Sequence, residues 1–405
     1  MNHEWQYALN QWEAFSPGPI SDVRLFFAPG RVNLIGEHTD YNGGYVLPAA
    51  LSLGTWLFVR SRTDGLFRFG STFADGVIAV RADDIAYRPE QDFANYPLGV
   101  IDMFAREDIH LPGADFFFHG NLPIGAGLSS SASVEVATAT AICALTDTAW
   151  SGEQIAILAQ RAENQFVGVN SGIMDQFAVA MGKRDSALSL HCSTLAYEVV
   201  PMHADGCRLV IANTNVQRTL AGSKYNERRS ECDKALAILR DTWPDLDALA
   251  DVTPEMWPDA QARLRAAADK LDDTAADILI RRARHVVFEN ARAKEAPTLL
   301  ANGQLEAFGE SMNASHQSLR DDYEVTGDAL DALAEAAWAA PGCIGSRMTG
   351  AGFGGCTVSL VRENAIDEFV ASVAAAYEAR LGIAPSFYIT EIGDGAREIA
   401  LDLQP

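Results

Sequence analysis

The stretch that most restricts how this chain can fold runs from Leu122 to Leu145. Pro123-Ile124-Gly125-Ala126-Gly127-Leu128-Ser129-Ser130-Ser131-Ala132-Ser133 passes directly into an Ala/Val-rich segment. Val134, Ala137, Thr138, Ala141, Ile142 and Leu145 recur at the spacing of a helix packed by one face, and Ala139, Thr140 and Ala144 on its other faces imply that the helix is largely buried. Gly125 and Gly127 let the backbone approach a ligand closely, and the hydroxyls fall where the first helical turn leaves N–H groups unpaired. Those N–H groups and the helix dipole attract anions, so the stretch reads as a phosphate cradle. The same residues would also serve a plain Gly/Ser loop ending in serine N-caps. No G-x-x-x-x-G-K-[ST] occurs, and the H-R-D and D-F-G elements of protein kinases are absent. Phosphate binding here needs a third architecture.

Length and composition set the frame. With 405 residues and 48% hydrophobic content, the chain can bury a large core and is expected to form two lobes. A formal charge of −23 argues against nucleic acid backbones and anionic membranes as partners, because a broad negative field repels both. An anionic nucleotide would then depend on local N–H groups, a few arginines and a metal ion. Six cysteines without C-x-x-C pairing read as reduced, mostly structural thiols. The first residues carry no basic segment followed by an apolar one, and no uncharged apolar run reaches the ~18 residues of a membrane span, so a cytoplasmic location is expected.

Along the chain, a short helix is expected over 5–15, then a strand over 23–28. The densest polar constellation follows, from Pro29 to Pro48, and places Arg31, Glu37, His38 and Asp40 among turn-forming glycines and asparagines. Loops of this kind hold ligands more often than cores. A metal site built from Glu37, His38 and Asp40 is one reading of these side chains. Asp115 to His119 reads as the strand feeding the phosphate loop. Ser151-Gly152-Glu153-Gln154 is a capping box opening a helix, with Glu163 at the edge of that helix's apolar face. Asp175, in Ser171-Gly172-Ile173-Met174-Asp175, reads as the cap of a short helix ending at Gly182.

Strands are expected over 187–190 and 208–212, with a lobe boundary between them that divides the chain into 1–205 and 206–405. Ser223 begins a helix, and Tyr225 near its start could equally be an exposed tyrosine. Residues 235–340 carry helical spacing, with breaks expected at Trp243-Pro244, Trp257-Pro258 and Pro297. Arg281, Arg282 and Arg284 read as a solvated or inter-helix salt-bridging face. Gly350, Gly352 and Gly355 satisfy G-x-G-x-x-G, but the strand pattern Thr357 to Val361 follows, where a dinucleotide fingerprint would open a helix. A helix over 369–381 and a final strand over 386–392 complete the expectation.

The Arg31 to Pro48 segment resembles the signature of galactokinases within the GHMP small-molecule kinase family. Pro123 to Ser133 resembles that family's phosphate-binding motif, and the Gly350, Gly352, Gly354, Gly355 turn its third motif. The resemblance spans roughly residues 24–392, with all three motifs in family order. It implies an α+β, two-lobed GHMP kinase fold, with a mixed-sheet N-terminal lobe, an α/β C-terminal lobe and the active site between them. It implies transfer of the ATP γ-phosphoryl group to O1 of α-D-galactose, a step of galactose metabolism; the chain is separately expected to be a monomer.

Residue by residue, the resemblance implies that Glu37, His38, Asp40, Gly172, Asp175 and Tyr225 bind the sugar and that Asp175 is catalytic, with Arg31 beside it and the transferred phosphate. Pro123, Gly125, Gly127, Leu128, Ser129, Ser130, Ser131 and Ala132 would hold the nucleotide phosphates, and Ser131 and Glu163 would coordinate Mg2+ on ATP. Asp175 is then either a general base or an electrostatic and positioning group. A kinase for another sugar is one rival. A galactose- and ATP-binding regulator without turnover is the other; such regulators lack a Ser-Ala pair in the phosphate loop, whereas Ser131-Ala132 is present here.

Overall fold

A computed structural model describes residues 5–123, 126–204, 206–216, 221–267 and 273–401, with the backbone alone at 221–223 and 273. Helix α1 (Gln6–Phe15) leads into β1 (Arg24–Asn33), followed by β2 (Tyr45–Val46), β3 (Pro48–Ser61), β4 (Leu66–Ser71), β5 (Ile78–Arg81), α2 (Asn95–Arg106) and β6 (Ala114–Gly120). The phosphate-loop segment then opens α3 (Ser130–Leu145), and α4 (Gly152–Ala162), α5 (Met174–Met181), β7 (Ser186–His191) and β8 (Tyr197–Pro201) complete the first half. The second half comprises β9 (Cys207–Asn213), α6 (Ala221–Arg240), α7 (Trp257–Ala266), α8 (Asp273–Ala301), α9 (Leu305–Ser318), α10 (Asp328–Ala339), β10 (Cys343–Thr349), β11 (Cys356–Arg362), α11 (Ile366–Leu381), β12 (Ser386–Thr390) and β13 (Arg397–Ile399).

Among the described residues the strands form three sheets, ordered β13-β1-β3-β6-β4-β5, β10-β11-β9-β12 and β2-β7-β8. The largest mixes parallel and antiparallel pairs, since β4 runs parallel to β6 while β1 and β3 are antiparallel. The alternation of Phe67, Phe69, Phe116 and Phe118 turns one face toward α2, α3 and α4, which bury Leu98, Val136, Ile142 and Leu158 against it. Helix α1 covers the other face with Trp12 and Phe15 on Phe58 and Phe117. Val32, Leu34 and Leu47 from the first half share one core cluster with Leu209, Ile211, Met312 and Val358 from the second.

Several expectations change. Pro297 does not break a helix: α8 carries through it, because Ala293, Ala296 and Leu300 are fully packed and offset the lost backbone bond. The last expected strand ends early, at Thr390, and a further strand, β13, returns to pair with β1. Asp175 is not a cap; Ile173 precedes α5, and Asp175 lies in its first turn, pointing elsewhere. The Ser151–Gln154 capping box forms with both its bonds. Arg281, Arg282 and Arg284 pair with Glu324, Glu231 and Asp322, an inter-helix ion network in which Arg282 is 2% exposed. The six cysteines remain thiols, with Cys143, Cys207, Cys232 and Cys356 buried.

Candidate active site

The site gathers where β1, the N-terminus of α3 and the start of α5 meet. Strand β1 bulges between Pro29 and Arg31, and Gly30 supplies the room: a Cβ there would lie 2.5 Å from Leu122 and 2.7 Å from the Leu128 carbonyl. The phosphate loop therefore closes directly on the strand, and the Arg31 amide donates to Leu128 at 3.1 Å. From this position the Arg31 guanidinium donates to both oxygens of Asp175, at 2.8 and 2.7 Å, and to the Gly127 carbonyl at 2.8 Å. Ser129 precedes α3 with a left-handed backbone, φ +62°. Its hydroxyl does not cap the helix, as a plain Ser-rich loop would have it, but donates to Asp175 Oδ2 at 2.7 Å. That leaves the first N–H groups of α3 without a serine cap, as an anion site requires.

Around this fork stand the residues expected to bind sugar. Asp40 is half-buried, and burial together with the charge of Asp175 pushes its carboxyl up to about 7. Gly172 passes against it so closely that any Cβ would collide with Asp40 Oδ2. Glu37 is 2% exposed; its Oε2 accepts from Arg347 Nη2 at 3.1 Å and from the Gly350 amide at 3.0 Å. Burial raises the Glu37 carboxyl, with Arg347 and Arg31 opposing. His38, at φ +60°, sets Nδ1 2.9 Å from the Tyr41 hydroxyl, which lies 2.7 Å from that of Tyr323. Burial, with His285 and Arg347 nearby, lowers His38 to about 3, so the ring is neutral, and among the described residues its buried Nε2 has no partner. The Tyr225 ring sits 5.7 Å from His38 and 5.2 Å from Tyr41, and burial raises its hydroxyl well above the usual tyrosine value.

On the opposite side of Asp175, Glu163 begins a π-turn, Glu163–Val167, that ends α4. Its Oε2 accepts from Ser171 Oγ and Gln176 Nε2, both at 2.8 Å, and Ser131 also bonds its carboxyl. Burial raises Glu163 while these donors oppose. A carboxylate beside a hydroxyl at a helix N-terminus is the sparse, hard-oxygen donor set that suits magnesium already carrying phosphate oxygens and water. Among the described residues no three His, Cys, Asp or Glu side chains group as a metal cage. The rival metal reading of Glu37, His38 and Asp40 fails on the same ground, since their atoms face Arg347, Tyr41 and Gly172.

The glycine turn after β10 closes the site. Gly350 has φ +86°, and a Cβ on it would come within 2.8 Å of the Gly127 carbonyl, so the third motif packs on the phosphate loop. Gly352, Gly354 and Gly355 continue it with positive φ before β11. Pro123, Gly127, Leu128, Ser130 and Ala132 lie along the loop and first turn of α3, with Ser130 exposed; Gly125 falls outside the described residues.

Sequence reasoning missed the supports. Glu289, fully buried in α8, accepts from the Gly36 and Glu37 amides at 2.8 and 3.2 Å and from Ser315 at 2.6 Å. Burial would raise its carboxyl, but Arg292, His285 and Arg347 hold it at about 2. Arg347 could have been found as a lone charge entering an apolar strand just before the glycine turn. Nothing in the helical pattern around Glu289 or Tyr323 marks them.

Comparison with known proteins agrees with this geometry. Residues 13–61 match the galactokinase galactose-binding signature, 95–183 the GHMP kinases N terminal domain and 298–379 the GHMP kinases C terminal domain. A galactokinase of Halalkalibacterium halodurans is 49% identical over 386 residues, 95% of each chain. The chain belongs to the galactokinase family. The galactokinase of Bacillus subtilis is 46% identical, covering 94% of this chain and 96% of its own. A crystal structure of Lactococcus lactis galactokinase complexed with galactose superposes with a TM-score of 0.90 at 40% identity, over 97% of this chain and all of that one. Methanococcus jannaschii mevalonate kinase shares the fold alone, with a TM-score of 0.63 at 17% identity. This galactokinase fold is thus the α+β GHMP arrangement, and the chain is a sugar kinase.

Proposed function

We propose that the chain transfers the γ-phosphoryl group of Mg-ATP to O1 of α-D-galactose, yielding galactose 1-phosphate and ADP. The observation that carries this reading is the Arg31–Asp175–Ser129 fork at the N-terminus of α3. A carboxylate has about four lone-pair sites, and three on Asp175 are taken by Arg31 and Ser129. The remaining one accepts from the O1 hydroxyl, which orients that oxygen and gives its proton a place to go as the O–P bond forms. Arg31 balances charge beside the transferred group, and the α3 amides hold the phosphates. Asp40, Glu37, His38, Gly172 and Tyr225 bind the remaining sugar hydroxyls and fix O1 in line. Glu163 and Ser131 would hold the nucleotide's magnesium, which would supply neutralisation of phosphate charge.

We also read the chain as a cytoplasmic monomer whose two lobes divide between β8 and β9; among the described residues no helix is long and apolar enough to cross a membrane. Coupled ADP release with galactose, glucose, N-acetylgalactosamine, arabinose and galacturonate tests the substrate. Turnover should be restricted to galactose and close analogues. Asp175→Ala should lose at least ~10³-fold in kcat with an unchanged circular dichroism spectrum; retained turnover would remove Asp175 from the mechanism.

A further inference from the structure

One buried carboxyl next to this machinery has no role in the scheme above. Glu135 lies on α3 and is fully buried. Its Oε2 accepts from Gln176 Nε2 at 3.1 Å, and the same nitrogen donates to Glu163 Oε2 at 2.8 Å. The two hydrogens of one amide are therefore divided between two carboxyls. Among the described residues, neither Glu135 Oε1 nor Gln176 Oε1, both buried, has a partner. An orphaned acceptor in a dry interior costs about 1–3 kcal/mol, and folded proteins leave few of them.

The charge around Glu135 sharpens the difficulty. Among the described residues, the titratable groups that face it are Glu163, Asp175 and Tyr96, and none is a cation. Arg31, the guanidinium of the site, is engaged with Asp175 and the Gly127 carbonyl. In the metal-free protein an ionised Glu135 would stand beside other carboxylates, an arrangement that proteins avoid by keeping the proton. Burial and the charge of Glu163 both push its carboxyl well above the usual range.

A carboxylic acid and a primary amide satisfy each other through two bonds, the acid carbonyl accepting from N–H while the acid O–H donates to the amide oxygen. A proton on Glu135 Oε1 supplies the donor that both orphaned oxygens lack. We propose that Glu135 is a neutral carboxylic acid joined to the Gln176 amide at two points, and that this ring fixes which way the amide faces and so presents Glu163 to the nucleotide's magnesium. Glu135 is thereby a positioning residue acting through Gln176 and Glu163. The link to magnesium rests on Glu163 being a metal ligand; the ring does not.

Two measurements separate these parts. Infrared spectra of the metal-free protein should contain the C=O band of a protonated carboxyl that disappears in Glu135→Gln. In parallel, Glu135→Ala should raise the Mg2+ concentration giving half-maximal rate about tenfold, the usual effect of removing a ligand's support. Glu135→Gln, which keeps both a donor and an acceptor, should restore that value to within about twofold. If the alanine variant does not fold, Gln176→Leu should show the same raised requirement. Absence of the band, or a glutamine variant as impaired as the alanine one, overturns the proposal. A Glu163→Ala variant with an unchanged magnesium requirement but an intact band would overturn the metal assignment and leave the ring standing.

Discussion

Asp40 sits in an environment at odds with its chemistry. Its folded value of about 7 lies above the ordinary 3.8, so between those limits the folded chain binds more protons than the unfolded chain. Stability must then fall as pH rises through that window and is lowest, for this group, above it. Asp40→Asn should therefore stabilise the sugar-free protein by up to about 4 kcal/mol at pH 8 and by little at pH 4. Urea unfolding of both proteins at the two pH values checks the sign; a larger gain at pH 4 would show that burial does not strain Asp40. The same substitution should weaken galactose binding, because the ionised carboxylate that burial disfavours is the better acceptor of hydroxyls. Such a residue is stabilised less by its own fold than by its ligand, a pattern expected where function rather than stability sets the side chain.

At the scale of elements, the sugar loop is held from outside its own segment. Strand β10 carries Arg347, fully buried, to Glu37, and α8 carries Glu289 to the Gly36 and Glu37 amides. Arg347→Met leaves Glu37 buried without its cation and should cost about 3–5 kcal/mol in denaturant unfolding. Adding Glu37→Gln should recover part of that loss, since the orphaned charge is then gone; an unchanged double mutant would mean that Arg347 acts by packing alone. These supports explain what could be read beforehand. Arg31, Asp175, Glu163 and the serines stand in compact motifs whose residue types announce their chemistry, and the helices and strands around them follow from periodicity. Glu289, Tyr323 and Glu135 were silent because a polar residue on a helix has the same local pattern whether it meets water or a buried partner. Pro297 misled for the same reason: its effect is decided by Ala293, Ala296 and Leu300, which pack on other parts of the chain.

Across the whole molecule, the two halves are less separable than two lobes suggest. Val32, Leu34 and Leu47 pack in one cluster with Leu209, Ile211, Met312 and Val358, so neither half encloses this core alone. The final strand, β13, returns to β1, with Leu25 opposite Ile399 and Arg24 forked onto Glu398 at 2.7 and 2.6 Å. The candidate active site depends on the same closure, because Gly350 from the second half seats on Gly127 and Arg347 on Glu37. Separate lobes would melt independently; a shared core couples them into one transition. Calorimetry of the full chain should therefore give a single endotherm whose calorimetric and van't Hoff enthalpies agree, and galactose should move the whole of it upward. Two resolved transitions, only one of them shifted by the sugar, would mean that the cluster is a docking surface between independently stable domains. A single shifted transition would mean that the two halves unfold as one unit, which the sugar stabilises as a whole by binding only its folded form.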